Sequence, residues 1–284
     1  MAKNDFRFGT VGSPTSTPKK PGGSVGAILQ IVELGLNALE LGWVRAVRVS
    51  EASCAEIKSA ANENDVAISV HAPYYINLNA DEEEWLKSRQ RLMDAAHYGN
   101  LAGATDIVFH PGSYFGRPAE EVLPRAIRRL EGCVEELKAA GNLVTLRPEV
   151  MGKSAMLGSF EDTLVMSKAV TGVFPCIDFA HLHARPGDGS MNSLDEWRRI
   201  LEAYGNALGS GALRHLHIHL SGIQYSEKGE REHLPLQEAD INLDAILQAL
   251  KEFDCAGRIM CESPEAVLDE DAQLIQQRWK SIMS

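Results

Sequence analysis

Histidine and acidic side chains recur along this chain directly after short apolar runs. The apolar residues 173–177 are followed at once by Asp178 and, one turn later, by His181. Side chains of the same kind follow other apolar runs at His71, His110, Glu149, His219 and Glu262. Imidazole nitrogen and carboxylate oxygen are ligands that zinc accepts, and a mixed set without cysteine is typical of a hydrolytic metal site. The pattern therefore predicts a metal centre.

Repeated strand-then-helix units must position these side chains. Apolar runs predict strands over residues 6–12, 38–44, 66–70, 106–109, 143–146, 173–177, 213–220 and 258–261. Helical periodicity and capping residues predict helices over residues 24–36, 50–64, 82–101, 119–140, 159–169, 193–208, 241–253 and 268–282. A closed parallel barrel leaves no sheet edge unprotected, so we expect an α/β fold with a single (β/α)8 TIM barrel spanning residues 1–284. An open doubly wound sheet is the alternative, but it does not by itself place polar residues after so many strands.

The carboxyl ends of barrel strands meet at one face, so side chains from six strands are expected to lie close together there. Several carboxylates so close together repel one another strongly unless cations lie between them. One catalytic zinc needs only three protein ligands, and the set here, with His181 and His233 added, suffices for two or three ions. Clustered metals suit phosphodiester hydrolysis, because they acidify a water and stabilise the charge on the leaving oxygen.

Composition narrows the class of protein further. The chain has no run of about 18 apolar residues and no signal-peptide core near its start, which predicts a cytoplasmic protein without a membrane partner. Five well-separated cysteines fit reduced thiols rather than a disulfide framework. The absence of a glycine-rich phosphate loop leaves a nucleotide cofactor without support. A net charge of −11 argues against a nucleic-acid partner, although bound cations would reverse the local potential.

Six segments together resemble the successive motifs of the endonuclease IV family of abasic-site endonucleases. They are VHAPYYINL (70–78), FHPGS (109–113), RPEVMGK (147–153), CIDFAH (176–181), IHLSG (218–222) and CESP (261–264). They run in the family's order at suitable spacing over about two-thirds of the chain, from the third predicted strand to the eighth.

The resemblance implies a TIM barrel with three zinc ions that cleaves damaged double-stranded DNA on the 5′ side of an abasic site. A hydroxide bridging two metals would attack and leave a 3′ hydroxyl, with Glu149 and Glu262 as the catalytic carboxylates. If the family's ligand positions are transferred motif by motif, the first metal would be held by His71, His110 and Glu149. Glu149 would bridge to the second, completed by Asp178, His219 and Glu262, while the third would be held by His181 and His233. Zn²⁺ is the expected metal and Mn²⁺ the alternative.

One position departs from the family pattern. The family places an aspartate two residues before the last histidine, where this chain has Arg231 before His233. Either Glu230 enters the third site across a one-residue difference in length, or that site has one ligand fewer. This departure bears on the third metal and on full nuclease activity.

Residues near the motifs are candidates for contacts with DNA. By resemblance, Tyr74 and Tyr75 lie where the family inserts side chains into the minor groove at the lesion; packing on the barrel rim is the alternative. Lys153 and Arg147 are candidate phosphate contacts, and Arg231 lies in the polar segment 221–240 that would border the third metal.

We expect the remaining histidines near the motifs to have structural roles. His215 and His217 are expected to share a strand face with His219, with His217 in the barrel interior, and His183 is expected to be a polar loop residue.

Two other functions remain open. A sugar isomerase or epimerase of the xylose-isomerase-like type needs one divalent ion, for which Glu149, Asp178, His219 and Glu262 would suffice. The additional histidines favour the nuclease. A metal-holding barrel that binds DNA or another partner without turnover is the third hypothesis. The protein is expected to be a monomer.

Overall fold

Ten strands and the helices between them form the described part of the chain, residues 5–284 of a computed structural model. The strands are β1 (Phe6–Val11), β2 (Ala38–Gly42), β3 (Ala67–His71), β4 (Asp106–Phe109), β5 (Thr145–Pro148), β6 (Cys176–Asp178), β7 (Leu216–Leu220), β8 (Gly222–Ser226), β9 (Gly229–Leu234) and β10 (Gly257–Cys261). The helices are α1 (Gly23–Glu33), α2 (Glu51–Glu63), α3 (Glu82–Leu101), α4 (Ala119–Ala139), α5 (Phe160–Ala169), α6 (Phe179–Ala184), α7 (Leu194–Leu208), α8 (Leu243–Glu252) and α9 (Leu268–Met283).

Eight of the strands form one parallel sheet in the order β5-β4-β3-β2-β1-β10-β7-β6. The two ends of this sheet meet, because isolated parallel bridges join Leu146 to Val173 and Glu149 to Cys176. The amide of Val150 also donates a hydrogen bond of 3.0 Å to the carbonyl of Cys176. The predicted TIM barrel is confirmed, and its closure brings the ends of β5 and β6 side by side.

The helices surround the barrel and begin largely where the sequence predicts. Ser50 caps α2 by accepting a hydrogen bond from the Ser53 amide, and Ser159 and Ser193 form capping boxes at α5 and α7. The large apolar side chains of strands and helices pack into one continuous core, in which Phe109, Phe179 and Trp197 are fully buried.

Three regions differ from the sequence-based expectation. β7 begins only at Leu216, because residues 210–215 form a 3₁₀ helix after Gly209, whose φ of 91° ends α7. The polar segment 221–240 contains the antiparallel hairpin of β8 and β9, which was not predicted. In addition, the short helix α6 follows β6 directly.

The expectations for His215 and His183 were wrong. His215 lies in the 3₁₀ helix and is exposed, so it shares no strand face with His219. His183 is fully buried on α6, where Nε2 lies 2.9 Å from a carboxylate oxygen of Asp240 and Nδ1 lies 2.8 Å from the Met191 carbonyl.

Two expectations from composition can be compared with the fold. All five cysteines are buried and none forms a disulfide within the described residues. Over residues 5–284, no helix has both the length and the apolar character needed to cross a bilayer.

Candidate metal centre

The side chain of Glu149 lies at the centre of the predicted cluster, immediately after β5 at the carboxyl-terminal mouth of the barrel. It is fully buried. One carboxylate oxygen, Oε2, lies 3.2 Å from Nε2 of His71 and 3.3 Å from Nε2 of His110. Potential ligand atoms of the three residues lie within 4.8 Å of one another. The first predicted ligand set is therefore brought together.

The other Glu149 oxygen, Oε1, faces a second set. It lies 3.6 Å from Nδ1 of His219, which is 3.2 Å from Oε2 of Glu262. Asp178 joins them because the register of β6 and β7 pairs it with His219. Potential ligand atoms of these four side chains all lie within 4.8 Å of one another. Glu149 thus belongs to both sets, as a bridging ligand must.

The third set consists of His181, Glu230 and His233. Nε2 of His181 lies 3.5 Å from Oε2 of Glu230, and the Nδ1–H of His181 donates to the Val150 carbonyl at 2.9 Å. Nδ1 of His233 lies 2.7 Å from the hydroxyl of Ser221. Such hydrogen bonds orient the opposite ring nitrogen of a metal-binding histidine.

A β-bulge explains why Glu230, rather than Arg231, faces this set. Gln224 pairs with Glu232 and the next residue, Tyr225, pairs with Glu230, so Arg231 is the extra residue of β9. Residues three apart on a regular strand point to opposite faces, but one extra residue restores Glu230 and His233 to the same face. Of the two alternatives from the sequence, the geometry agrees with the entry of Glu230.

Two glycines allow the hairpin to approach the barrel. A Cβ atom on Gly152 would lie 2.7 Å from Cβ of Glu230 and 3.0 Å from the ring of His181. Gly229, at a φ of 91°, packs against the Gly152 carbonyl, which also accepts a hydrogen bond of 2.9 Å from the Glu230 amide. Close backbone contact therefore positions Glu230.

Unpaired buried atoms test whether this donor set fits metal ions. Among the described residues, four buried atoms at the mouth lack any hydrogen-bond partner: Glu149 Oε1, Asp178 Oδ2, His219 Nδ1 and Glu262 Oε2. They are donor atoms of the second set, one from each member. A buried polar atom without a partner costs about 1–3 kcal/mol, so four in one place indicate donor atoms arranged for a ligand. The donor set fits a divalent cation.

Protonation of the cluster shows how strongly its charges interact. Burial alone would lower the pKa of His71, but the hydrogen bond and charge of Glu149 outweigh it and raise that pKa to about 8. Burial would raise the pKa of Glu149, yet the neighbouring His110, His181 and His219 hold it well below its usual value. Burial raises the pKa of Asp178 to about 6. Without cations, the histidines must carry the compensating positive charge.

Glu40 is a functional candidate that the sequence-based analysis missed. It lies on β2 inside the barrel and is fully buried. Its carboxylate oxygens lie 3.0 Å from Nε2 of His219 and 2.8 Å from Nε2 of His217, and they accept a hydrogen bond from the hydroxyl of Ser69. Burial lowers the pKa of His217 to about 4 despite the nearby Glu40 carboxylate, so this imidazole is neutral near pH 7. A lone glutamate in the apolar run ALELG was the available signal.

The residues predicted to contact DNA surround this mouth, with one exception. Tyr74 is 44% exposed and stacks on His110 at 5.0 Å between ring centroids, while Tyr75 is 64% exposed. Lys153 is half-exposed and lies 4.0 Å from Glu230, and Arg231 is exposed on β9.

Arg147 is the exception among these candidates. It is 5% exposed and its Nε–H donates to Asp106 at 2.7 Å near the opposite end of the barrel. The expectation that it contacts phosphate at the mouth was therefore wrong.

A family model described as a xylose isomerase-like TIM barrel matches residues 28–278. The chain belongs to this family. Among members with curated descriptions, the uncharacterized protein MJ0133 of Methanocaldococcus jannaschii is 38% identical over 276 residues, which cover 97% of each chain. Endonuclease 4 of Thermus thermophilus is 29% identical over 208 residues, covering 69% of this chain and 71% of that protein. The resemblance to endonuclease IV noted in the sequence is confirmed.

Two solved structures share the fold over nearly the whole chain. Endonuclease IV from Thermus thermophilus has a TM-score of 0.72 and 21% identity, with 98% of each chain covered. A D-tagatose 3-epimerase-like protein has the same TM-score and identity, covering 98% of this chain and 97% of that one. At such identities these likenesses show the fold alone. The same fold is therefore found in an endonuclease and in an epimerase-like protein.

Proposed function

We propose that this chain is a metal-dependent phosphodiester hydrolase that cleaves damaged double-stranded DNA 5′ to an abasic site and leaves a 3′ hydroxyl. The observation that carries the proposal is the arrangement of three adjoining donor sets, two of which share Glu149. A sugar epimerase with one divalent ion needs only the second set. A one-metal epimerase site would give no role to His71, His110, His181 and His233. The relatives described as endonuclease 4 add support.

The donors match Zn²⁺, with Mn²⁺ as the alternative, because imidazole and carboxylate suit both ions. In these positions such ions would act as Lewis acids that polarise a phosphoryl oxygen and acidify water. Glu149 would be a ligand in both the first and the second site, and Glu262 would complete the second site beside His219. These two carboxylates are the residues to which we assign catalysis.

The protein side chains would position the substrate and the ligands. The Nδ1–H of His71 donates to the Ala72 carbonyl at 2.9 Å, which directs Nε2 toward Glu149. Tyr74 packs against the rings of both His71 and His110, so its own ring is held at the rim. Tyr75 is the more exposed of the two and is suited to stack in the gap left by an extruded abasic nucleotide.

Charged residues at the rim would contact the DNA backbone. Lys153 and Arg231 are both exposed on the side of the mouth bordered by the hairpin. With a net charge of −11, the protein would bind DNA weakly and with strong dependence on salt. We propose that it acts as a monomer, which size-exclusion chromatography tests.

The test is strand nicking of a duplex that carries one abasic site, with zinc-reconstituted protein beside a chelator-treated control. We expect cleavage directly 5′ to the site only with metal. Glu149→Gln should lower activity more than a hundredfold, since it removes a negative charge shared by two sets. Glu135→Gln, a substitution on the exposed surface of α4, is the matched control. More than a tenth of the wild-type activity in Glu149→Gln would remove Glu149 from this role.

The second candidate is a sugar epimerase, favoured by the close second set of Glu149, Asp178, His219 and Glu262. Incubation with ketohexoses and analysis of the C3 epimers tests it directly. Epimerisation without nicking would replace the nuclease proposal. Metal binding with neither activity would favour the barrel that binds without turnover.

A further inference from the structure

A second polar site lies at the amino-terminal end of the barrel, away from the metal centre. A cavity of about 820 Å³, here called the basal cavity, opens where the barrel strands begin. Its lining includes the first residues of β3, β4, β5, β7 and β10, namely Ala67, Asp106, Thr145, Leu216 and Gly257. Cavities of roughly 300–1,000 Å³ are typical of small-molecule sites.

The basal cavity is rich in arginine. Its lining contains the guanidinium groups of Arg7, Arg147, Arg214 and Arg258 against only two carboxylates, Asp5 and Asp106. Two further carboxylates beside the cavity, those of Asp65 and Asp254, pair with Arg7 and Arg214, so an anion would bind through guanidinium N–H donors that these pairs leave free.

The inner half of the cavity is rigidly built. Asp106 bonds Nε of Arg147 at 2.7 Å and lies 3.1 Å from Nη2 of Arg258, so one carboxylate holds two nearly buried guanidinium groups. Burial would raise the pKa of Asp106, but the two arginines lower it far below its usual value. Asp106 is therefore ionised. Its single negative charge balances one of the two guanidinium groups, so the three side chains together carry one net positive charge.

The outer half presents guanidinium N–H groups that are still available. Among the described residues, Arg214 uses only Nη1, which donates to Asp254. Arg7 and Arg258 bond through Nη1 and Nη2 and leave Nε without an acceptor. Guanidinium groups bind phosphate through paired N–H donors, so these positions suit an anion with several oxygens.

An apolar wall completes the cavity. Phe174 lines it with its ring 5.6 Å from the Arg147 guanidinium, and Leu143, 81% exposed, stands among the lining residues. An exposed leucine beside an aromatic ring and arginines is suited to a ligand that has a planar apolar part as well as an anionic part. Inorganic phosphate alone would leave most of the volume unfilled.

We infer that the basal cavity binds a small phosphate-bearing molecule of nucleotide size, with its phosphate on Arg7, Arg214 and Arg258 and its planar part against Phe174 and Leu143. This site is independent of the proposed nuclease activity, because it lies at the other end of the barrel.

Titration calorimetry of the chelator-treated full chain tests the inference with adenosine monophosphate, inorganic phosphate and adenosine. Chelation removes cations from the acidic mouth, which disfavours the binding of anions there. We expect the monophosphate to bind more tightly than either part, and Arg214→Gln and Arg7→Gln each to weaken it by about tenfold. Melting temperatures of both variants, within a few degrees of wild type, would show that the fold is kept.

Arg198→Gln is the matched control, since Arg198 is a half-exposed arginine of α7 that pairs with Glu252 and does not line the cavity. Its affinity for the monophosphate should equal that of wild type. Absence of binding at millimolar ligand would overturn the inference. So would equal loss in Arg198→Gln, or a changed affinity in Glu149→Gln, which would place the anion at the mouth instead.

Discussion

Nε2 of His219 lies 3.0 Å from a carboxylate oxygen of Glu40, while Nδ1 of the same ring faces Glu149 and Glu262. The Nε2–H of His219 donates to Glu40, which leaves Nδ1 as the nitrogen available to a cation. Carboxylate–histidine–metal arrangements of this kind raise the basicity of the imidazole and fix its orientation. Glu40 thus acts on the metal centre through His219.

Replacement of Glu40 by Gln should lower metal affinity by about 10–100-fold, because an amide neither fixes the tautomer nor raises the basicity of His219. Competition with a chromophoric zinc chelator measures the affinity, and elemental analysis gives the bound metal per chain. Glu135→Gln should keep wild-type affinity. Unchanged affinity in Glu40→Gln would show that the contact with His219 is only a packing feature of the barrel interior.

The bulge at Arg231 predicts that neighbouring residues have separate roles. Glu230→Gln should reduce the metal bound per chain, since Glu230 faces His181 and His233. Arg231→Ala should leave metal content unchanged but weaken DNA binding, with the slope of log affinity against log salt falling by about 0.9. Fluorescence anisotropy over a range of salt concentrations measures this slope. Arg199→Ala, on the outer surface of α7, is the control, and an equal change in slope there would contradict a local role for Arg231.

Substitutions at Gly152 and at Gly132 together test whether the β8–β9 hairpin must lie close to the barrel. Gly152→Ala should destabilise the fold by about 1–3 kcal/mol, because its methyl group overlaps Glu230 and His181. Gly132 lies in α4 with open space around it, so Gly132→Ala should stabilise the protein by up to about 1 kcal/mol. Urea unfolding with metal analysis checks both. Full metal content and stability in Gly152→Ala would mean that the hairpin has room to move away without consequence.

The lowered pKa of Asp106 predicts that the barrel loses part of its folding stability in acid. Its pKa is lowered in the folded protein by Arg147 and Arg258, against an unfolded value of about 4. Its contribution to stability is therefore complete above that unfolded value and is lost as the pH falls toward the folded value. Asp106→Asn should cost about 3–5 kcal/mol at pH 7, since it leaves the buried Arg147 and the largely buried Arg258 without their counter-charge.

The pH dependence distinguishes this contribution from a simple packing effect. Urea unfolding between pH 7 and 3 should show a smaller loss of stability in Asp106→Asn than in wild type. Asp195→Asn, on the exposed first turn of α7, should follow the wild-type curve. Parallel curves for wild type and Asp106→Asn would exclude Asp106 as a source of acid sensitivity.

The order of strands, their polar ends and most of the candidate ligands could be predicted from the sequence alone. His71, His110, Glu149, Asp178 and His219 each lie at or next to the end of a barrel strand, because an apolar run marks a strand regardless of what it packs against. The parallel fold then requires those ends to meet, so the grouping follows from local patterns and one topological rule.

Only the tertiary structure decided which polar residues near a strand reach the metal centre. Arg147 and Glu149 are two residues apart and both point into the barrel, yet one bonds Asp106 near the strand starts and the other lies among the ligands. Glu40 and His219 are distant in sequence and meet only because β2 and β7 lie across the closed barrel. The bulge at Arg231 depends likewise on the pairing of two strands. Local sequence determines whether a side chain points into the barrel. The level of that side chain along the barrel axis and its partners on other strands depend on strand register, which is a property of the assembled sheet.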